Sequence, residues 1–393
     1  MRQRELWSKC CQPCVWGYRQ QAINYQMPTN NSQNYILRNV DWELVVESWD
    51  LAYTWLSMAF SWSTIGKPIV SLAPMAGVTD ASYRQLIKKV APHTVLYTEF
   101  LSTDAIAYGA QKTLDMLAFD KELERPLIVQ VFGADPDHFL KACKVIEEMG
   151  ADGIDINMGC PAAKVVSSCY GSALIKHPEI AQIVVDAAVK AVKIPVSVKT
   201  RLGWDTHETL IPFCKKLVEA GASALAIHGR RYHDKFTGSA NWDPIYALKN
   251  EVSVPVFGNG DITTVAHALQ KIGNLDGVMV GRGTYGNPWL LRDIDDAFER
   301  RKNGESDESI IASYAPPDAL LEPEKRLESF RQKIPCILEH CELAVKIKGE
   351  RRGVLEMRRH LGSYVKGFDG AKELRMRLLS TEKLDEVREM LVV

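Results

Sequence analysis

"PIVSLAPMAGVTD", residues 68–80, is a short apolar run followed by a turn that holds one glycine, Gly77. An apolar run of this length, bounded by turn residues, is typical of a buried strand. In an open, doubly wound sheet, the turn after the first strand commonly carries the glycine-rich pattern GxGxxG, which holds a phosphate. This turn lacks that pattern, so the segment favours a closed barrel of parallel strands over the open sheet.

Seven similar runs follow, and segments with helical periodicity separate them. In residues 135–149, for example, Phe139, Ala142 and Ile146 are spaced as on one helix face. Eight such βα units over roughly 230 residues predict an α/β fold of the (β/α)₈ TIM-barrel type. The eight runs are "PIVSLAP" (68–74), "TVLYTEF" (94–100), "PLIVQVFG" (126–133), "GIDINMG" (153–159), "IPVSVKT" (194–200), "ALAIHGR" (224–230), "VPVFGNG" (254–260) and "GVMVGRG" (277–283).

The segments outside the barrel differ from it in composition. Residues 1–66 contain many Trp, Asn and Gln residues, lack the βα pattern and form an N-terminal extension to which we assign no role. Cys10, Cys11 and Cys14 could bind a metal ion, but no second cysteine pair at suitable spacing follows, so no metal site is predicted. The predicted divisions are this extension (1–66), the catalytic barrel (67–300), a polar, proline-containing linker (301–326) and a smaller all-helical C-terminal domain (327–393).

The net charge of the whole chain says little about possible partners, but the charge of one region is informative. The formal net charge of the chain is −1, which gives no global argument for a nucleic-acid partner. Within Leu343–Arg377, however, ten Lys or Arg residues stand against four Asp or Glu residues, a net charge of +6 by subtraction. This excess is equally consistent with a solvated helical surface and with a surface that contacts nucleic acid.

The cysteines and apolar segments indicate a soluble, cytoplasmic protein. Nine cysteines, an odd number, are scattered along the chain, unlike the dense disulfide framework of a small secreted domain. The N-terminus has no long apolar segment followed by a cleavage site, so no secretory signal is predicted. The segment Leu51–Trp62 is too short to span a bilayer. We therefore expect no membrane association.

Polar side chains stand at the ends of seven of the eight runs. In a barrel of this type the active site forms at the carboxyl ends of the strands. Any one of these residues could be a core residue with a satisfied partner, but together they would be costly to bury unless they met a ligand or one another. They are Glu99, Gln130, Asn157 with Cys160, Lys199 with Arg201, His228 with Arg230, Asn259 with Asp261, and Gly281 with Arg282.

The last two runs lead into "GNGDI" and "VGRG", whose glycines let the backbone approach a ligand closely. Barrels of this kind often bind phosphate after strands seven and eight, so a phosphate-bearing cofactor is predicted. Lys199 could place a fixed positive charge beside an anion that develops on that cofactor. It could instead simply pair with Glu99 or Asp155.

The motifs, taken in their order along the chain, closely resemble those of the tRNA-dihydrouridine synthases, especially the bacterial B-type enzymes. The motifs include "LAPMAGVTDASYR", "YTEF", "VQVFG", "DINMGCPAAKV", "VKTRLGW", "GNGDI" and "DGVMVGRGTYGNPW", and the strong resemblance covers Lys67 to Trp289. It implies an FMN-containing barrel whose C-terminal helices bind tRNA, and which reduces a D-loop uridine to 5,6-dihydrouridine with NADPH. It implies no stable protein partner, and we expect a monomer.

The resemblance also assigns roles to matching residues. Cys160 would be the catalytic acid that protonates C5 of the uracil, while hydride from flavin N5 reaches C6. The cofactor-binding residues would be Pro74, Met75, Ala76, Gln130, Lys199, His228, Asn259, Gly260, Asp261, Gly281 and Arg282. The substrate-binding residues would be Asn157, Arg201 and Arg230.

The chemistry of a thiol agrees with the role implied for Cys160. An unperturbed cysteine has a pKa of about 8.5, so it is mostly protonated at neutral pH and can act as an acid. The alternative for Cys160 is a small buried apolar residue. Cys169 in the same loop is a rival proton donor. Ala163 stands where B-type enzymes often carry a second lysine, which could weaken or redirect substrate contacts.

Two other functions remain open at this point. An FMN-dependent barrel that acts on a free pyrimidine, similar to dihydroorotate dehydrogenase, would use the same flavin site without needing the basic helices. A tRNA-binding protein that has lost catalysis would bind no flavin. Deletion of residues 321–393 would distinguish the first alternative, because reduction of a small substrate should survive it, and flavin absorbance would distinguish the second.

Overall fold

The computed structural model describes residues 60–314 and 321–392. The described chain belongs to one compact unit that begins at Phe60. The predicted extension up to residue 59, including Cys10, Cys11 and Cys14, lies outside the described residues.

The described strands are all parallel and follow one another around a barrel, which confirms the predicted (β/α)₈ fold. The ring is completed between the first and second runs, where the Leu72 N–H donates to the Val95 carbonyl and the Val95 N–H to the Val70 carbonyl. The second run forms one short strand, a further short strand follows directly after it, and both pair with the third run. The strands are β1 (Ile69–Leu72), β2 (Leu96–Tyr97), β3 (Leu101–Ser102), β4 (Leu127–Phe132), β5 (Gly153–Met158), β6 (Val196–Arg201), β7 (Ala224–His228), β8 (Val256–Asn259) and β9 (Gly277–Val280).

Helices surround this barrel and cover its outer, apolar face. Local sequence determines where several of them begin. The Asp80 carboxylate accepts from the Tyr83 N–H at the start of the helix Ala81–Val90, and Asp135 followed by Pro136 starts the helix Pro136–Glu148. The helices of the barrel are α1 (Ala81–Val90), α2 (Thr103–Ala107), α3 (Gln111–Leu117), α4 (Pro136–Glu148), α5 (Ala163–Val166), α6 (Pro178–Ala191), α7 (Leu210–Glu219), α8 (Asp243–Lys249), α9 (Val265–Lys271) and α10 (Leu290–Lys302).

An apolar plug closes the amino-terminal end of the barrel. Trp62 is 4% exposed and packs against Phe257 of β8, with ring centroids 5.1 Å apart, and against Phe60 at 5.0 Å. It belongs to the cluster of apolar side chains that fills the barrel interior. Residues 60–66, which precede the predicted start of the barrel at residue 67, thus supply part of the barrel core.

The described part of the predicted linker contains helical structure. Helix α10 continues to Lys302, and α11 (Asp307–Ser313) buries Ile310 completely. The Ser306 side chain caps the start of α11, and Arg301 pairs with Asp307 at 2.8 Å. These contacts order a segment whose polar composition is typical of a linker.

Four helices follow, and they have a hydrophobic core of their own. They are α12 (Pro323–Lys348), α13 (Glu350–Tyr364), α14 (Ala371–Leu378) and α15 (Leu384–Met390). Among the described residues, no helix is both long and apolar enough to cross a membrane.

The C-terminal helices pack against α1 of the barrel through a buried aromatic cluster. Tyr83 on α1 lies 5.3 Å from the ring of His340 and 4.9 Å from that of His360. Burial lowers the pKa of both histidines, that of His360 to about 4, so both rings are neutral at physiological pH. Lys348 adds an ion pair with Asp80, which caps α1. The helices are thus attached to the loop that follows β1.

We expect Trp62→Ala to destabilise the protein by about 3–5 kcal/mol, because it removes a large buried ring and leaves a cavity. The measurement is the urea midpoint of the full chain, followed by circular dichroism. Tyr108→Ala is the matched control, since the Tyr108 side chain is 77% exposed and its loss should leave the midpoint nearly unchanged. Equal midpoints for the two variants would contradict the assignment of Trp62 to the barrel core.

Candidate active site

A cavity of about 900 Å³ opens at the carboxyl ends of the strands. All but one of the site residues predicted from the sequence line it, and the exception is Arg230. The residues brought together are Pro74, Met75, Ala76, Gln130, Asn157, Cys160, Lys199, Arg201, His228, Asn259, Gly260, Asp261, Gly281 and Arg282. The convergence of polar strand ends expected from the sequence therefore occurs in the structure.

A chain of hydrogen bonds runs across the floor of this cavity. The buried Asp155 carboxylate accepts from Gln130 Nε2 at 2.7 Å and from Ser197 Oγ at 2.7 Å. Gln130 Oε1 in turn accepts from Asn157 Nδ2 at 2.9 Å. Asn157 Oδ1 accepts from the backbone N–H of Cys160 at 2.9 Å and from that of the preceding residue at 3.0 Å. The polar side chains of β4 and β5 thereby hold the start of the loop that carries the thiol.

Lys199 on β6 lies beside this chain. Its Nζ donates to Asn259 Oδ1 at 3.1 Å, and the Asn259 amide donates to the Met279 carbonyl at 2.7 Å. Burial and the neighbouring Arg201 lower the pKa of Lys199 to about 8, although Asp155 opposes this shift. The suggested pairing with Glu99 does not occur, because Glu99 accepts from the N–H of Gly77 instead. Lys199 is therefore a buried amine with its charge available to the cavity.

The Cys160 thiol is held in its protonated form. Burial raises the pKa of Cys160, and the positive charges of Arg201 and Lys199 only partly oppose this shift. The loop packs tightly here, because a Cβ added at Gly171 would lie 2.9 Å from the Cys160 carbonyl oxygen and 3.3 Å from its Cβ. Cys169, the rival donor, does not line the cavity. Of the two thiols, Cys160 is the one that lines the cavity.

The two arginines predicted to bind substrate are both extensively hydrogen-bonded within the protein. Arg201 Nε donates to the Gly159 carbonyl at 2.7 Å, and its guanidinium also donates to the Lys235 carbonyl at 2.8 Å. Arg230 is 2% exposed and pairs with Asp261 at 2.8 Å. Arg230 does not line the cavity, and its guanidinium also donates to the Thr237 carbonyl, so it orders the loop after β7.

Arg230 determines the hydrogen bonding of both Asp261 and His228. The Asp261 carboxylate accepts from Arg230 and from the Ala240 N–H at 2.7 Å, so it is committed to the protein framework. His228 Nε2 lies 3.3 Å from the Arg230 guanidinium, which can only donate. Burial lowers the pKa of His228 well below its usual range, so the ring is neutral and its proton resides on Nδ1.

The loop after β7 contributes cavity residues that were not predicted from the sequence. Tyr232, Lys235 and Phe236 line the cavity. Phe236 is 57% exposed, and the guanidinium groups of Arg201 and Arg282 lie over its ring at 5.4 Å and 5.6 Å. The pattern "F.G.ANW" marks this loop in the sequence, but nothing in the pattern indicates that the loop folds back over the barrel mouth.

A buried amine, a protonated thiol and several amide and guanidinium donors at the carboxyl end of a parallel barrel define an α/β-barrel enzyme. The profile of the family described as Dihydrouridine synthase (Dus) matches residues 71–392. The chain therefore belongs to the dihydrouridine synthase family of flavin-dependent oxidoreductases, as its motifs indicated.

Individual relatives agree with this assignment. The probable tRNA-dihydrouridine synthase 1 of Synechocystis sp. is 35% identical over 323 residues, which cover 81% of this chain and 84% of that protein. The probable tRNA-dihydrouridine synthase of Rickettsia conorii is 37% identical over 310 residues (78% and 87%). The tRNA-dihydrouridine synthase B of Pseudomonas aeruginosa is 37% identical over 307 residues (77% and 86%).

We expect the pH midpoint for alkylation of Cys160 by iodoacetamide to lie above the ordinary cysteine value of about 8.5. Arg201→Met should move this midpoint higher still, because the guanidinium stays charged in this pH range and favours the thiolate. The rate is measured by mass spectrometry of the Cys160 peptide. Lys190→Met, which removes an exposed cation paired with Asp186, should have no effect. A midpoint at or below the ordinary value would refute the burial argument.

Proposed function

We propose that this protein reduces a D-loop uridine of tRNA to 5,6-dihydrouridine, with FMN bound in the barrel and NADPH as the reductant. The family membership supports the reaction class, and the relatives carry names that specify tRNA. The observation that carries the proposal is the position of Cys160: a thiol kept protonated by burial lines the same cavity as Lys199 and the glycines after β8 and β9.

The residues of the cavity fit a flavin mononucleotide. A volume of about 900 Å³ lies within the range of cofactor sites. Gln130 and Lys199 offer donors for the polar edge of the ring system, and Arg282 offers a charge for the phosphate. At Gly281 an added Cβ would lie 3.4 Å from both Ala73 and Met75, so the glycine keeps this wall of the cavity open.

The reaction requires a hydride at C6 and a proton at C5 of the uracil ring. Bound flavin, once reduced, supplies the hydride. Cys160 supplies the proton from its Sγ, and the resulting thiolate is stabilised by the positive charges of Lys199 and Arg201. A thiol with a raised pKa remains protonated at neutral pH, so it can act as an acid rather than as a nucleophile.

The RNA would reach this cavity past the C-terminal helices. Arg359 on α13 donates to the Ala76 carbonyl at 2.8 Å, next to Met75 and Ala76 in the cavity wall. Gly77, with a φ of 68°, makes room for the guanidinium. Arg359 is exposed and belongs to the segment with the excess of positive charge. It is therefore in position to contact the phosphate backbone of an RNA whose base enters the cavity.

The proposed function is tested by mapping dihydrouridine in tRNA from a strain that lacks this gene, with and without a plasmid that carries it. Restoration of dihydrouridine at one or more D-loop positions is the expected result. A colourless purified protein, or reduction of free pyrimidines without any effect on tRNA, would overturn it.

Cys160→Ala should bind flavin and tRNA normally but form dihydrouridine about 10²- to 10⁴-fold more slowly, the usual contribution of a general acid. The assay is single-turnover reduction of unmodified tRNA by the flavin-loaded enzyme. Cys169→Ala is the matched control and should retain the wild-type rate. The reverse pattern would transfer the acid role to Cys169.

Arg359→Ala should weaken tRNA binding and reduce the slope of log K against log salt by about one, the amount expected for one phosphate contact. Binding is measured by fluorescence anisotropy between low and moderate salt. Arg351→Ala on the same helix is the control, because Arg351 pairs with Glu382 at 2.9 Å. An unchanged slope in Arg359→Ala would exclude this contact.

A further inference from the structure

We propose that Asp155 is a positioning residue which, through the side chains of Gln130 and Asn157, sets the direction of the hydrogen bonds that hold Cys160. This inference deepens the proposed function and rests on it for the catalytic meaning of Cys160. Asp155 does not line the cavity, and none of its oxygens is exposed to a ligand there.

The direction of each hydrogen bond follows from what each group can donate or accept. An ionised carboxylate can only accept hydrogen bonds, so Gln130 must turn its NH₂ group toward Asp155. The Gln130 oxygen then faces Asn157, which must present its own NH₂ group to it. The oxygen of Asn157 is left to accept from the backbone N–H of Cys160. The observed bonds follow this order at 2.7, 2.9 and 2.9 Å.

The other end of the chain imposes the same direction. The backbone N–H of Cys160 can only donate, so it requires the oxygen of Asn157. An acceptor-only group at one end and a donor-only group at the other leave both intervening amides a single orientation that satisfies every bond. All of the side chains involved are buried, so a reversed amide would leave unpaired polar groups without access to water.

The charge of Asp155 strengthens this lock, because it fixes the direction of the hydrogen bonds from the Asp155 end as well as from the Cys160 end. A protonated carboxyl group, like an amide, has one donor and one acceptor and no longer specifies which face Gln130 must present. Burial raises the pKa of Asp155 to about 6, while Gln130, Ser197 and Lys199 oppose the shift. The charged or titratable groups that face it are Lys199 on β6 and the buried Tyr97 on β2. The lock should therefore hold above about pH 6 and weaken below it.

The test is hydrogen exchange of the peptide that contains Cys160, measured by mass spectrometry on the full chain from pH 5 to pH 8 and expressed as protection factors. In the wild type, protection of the Gly159 and Cys160 amides should fall as pH drops through about 6. In Asp155→Asn it should be lower by about threefold to tenfold at pH 8, up to the loss of one ordinary hydrogen bond, and should vary little with pH. At pH 5 the two proteins should converge.

Asp152→Asn is the matched control, because Asp152 lies just before the same strand but accepts from the Leu127 N–H at 2.8 Å and takes no part in the chain. It should keep the wild-type step at pH 6. Wild-type protection in Asp155→Asn at pH 8, or a wild-type profile without the step, would overturn the inference. The wild-type titration decides the matter even if Asp155→Asn fails to fold.

The enzymatic readout separates this inference from the proposed function. Asp155→Asn should lower the rate of dihydrouridine formation while leaving the tRNA dissociation constant unchanged, because Asp155 acts through Cys160 and touches no RNA. A wild-type protein that forms no dihydrouridine would refute the proposed function, yet the exchange experiment would still report whether Asp155 orders the loop.

Discussion

The alternation of side chains along the barrel strands is the constraint on which the site depends. Successive residues of a strand point to opposite faces, so Asp155 and Asn157 of β5 point inward together while Ile154 and Ile156 pack against the outer helices. A slip of one residue would bury the polar set against the helices and expose the apolar set to the barrel interior. The cost of such an exchange fixes the register, and with it the positions of the amide, amine and thiol groups.

This constraint also explains which parts of the fold and of the site can be predicted from the sequence. Polar residues at the ends of apolar runs predicted the barrel, and all but one of the predicted site residues line its cavity, because side chains alternate along a strand and all parallel strands end at one rim. Arg230 is the exception: its sequence pattern is the same as that of a ligand-binding arginine, and only the fold shows that it pairs with Asp261. Phe236 was missed because loop conformation has no comparable periodicity.

Residues near the predicted domain boundaries show a related limit of sequence patterns. Trp62 lies before any βα pattern, and only packing against Phe257 shows that it belongs to the barrel. Composition describes the average environment of a segment, whereas one large buried side chain can attach that segment to a core. The same holds for α11, where the burial of Ile310 outweighs the polar residues around it. Short segments with a single anchoring residue are therefore difficult to assign from sequence.

The cavity is positively charged, although the net charge of the whole chain is close to zero. Lys199, Arg201, Lys235 and Arg282 line the cavity, while its one carboxylate, Asp261, is already paired with Arg230. In the free protein, burial and the neighbouring Arg201 lower the pKa of Lys199 to about 8. An anion bound nearby favours the charged amine and must raise that pKa. An anion that bound beside Lys199 would therefore be linked to proton uptake by Lys199 near and above pH 8, and the ligand would itself complete the positive charge of the site.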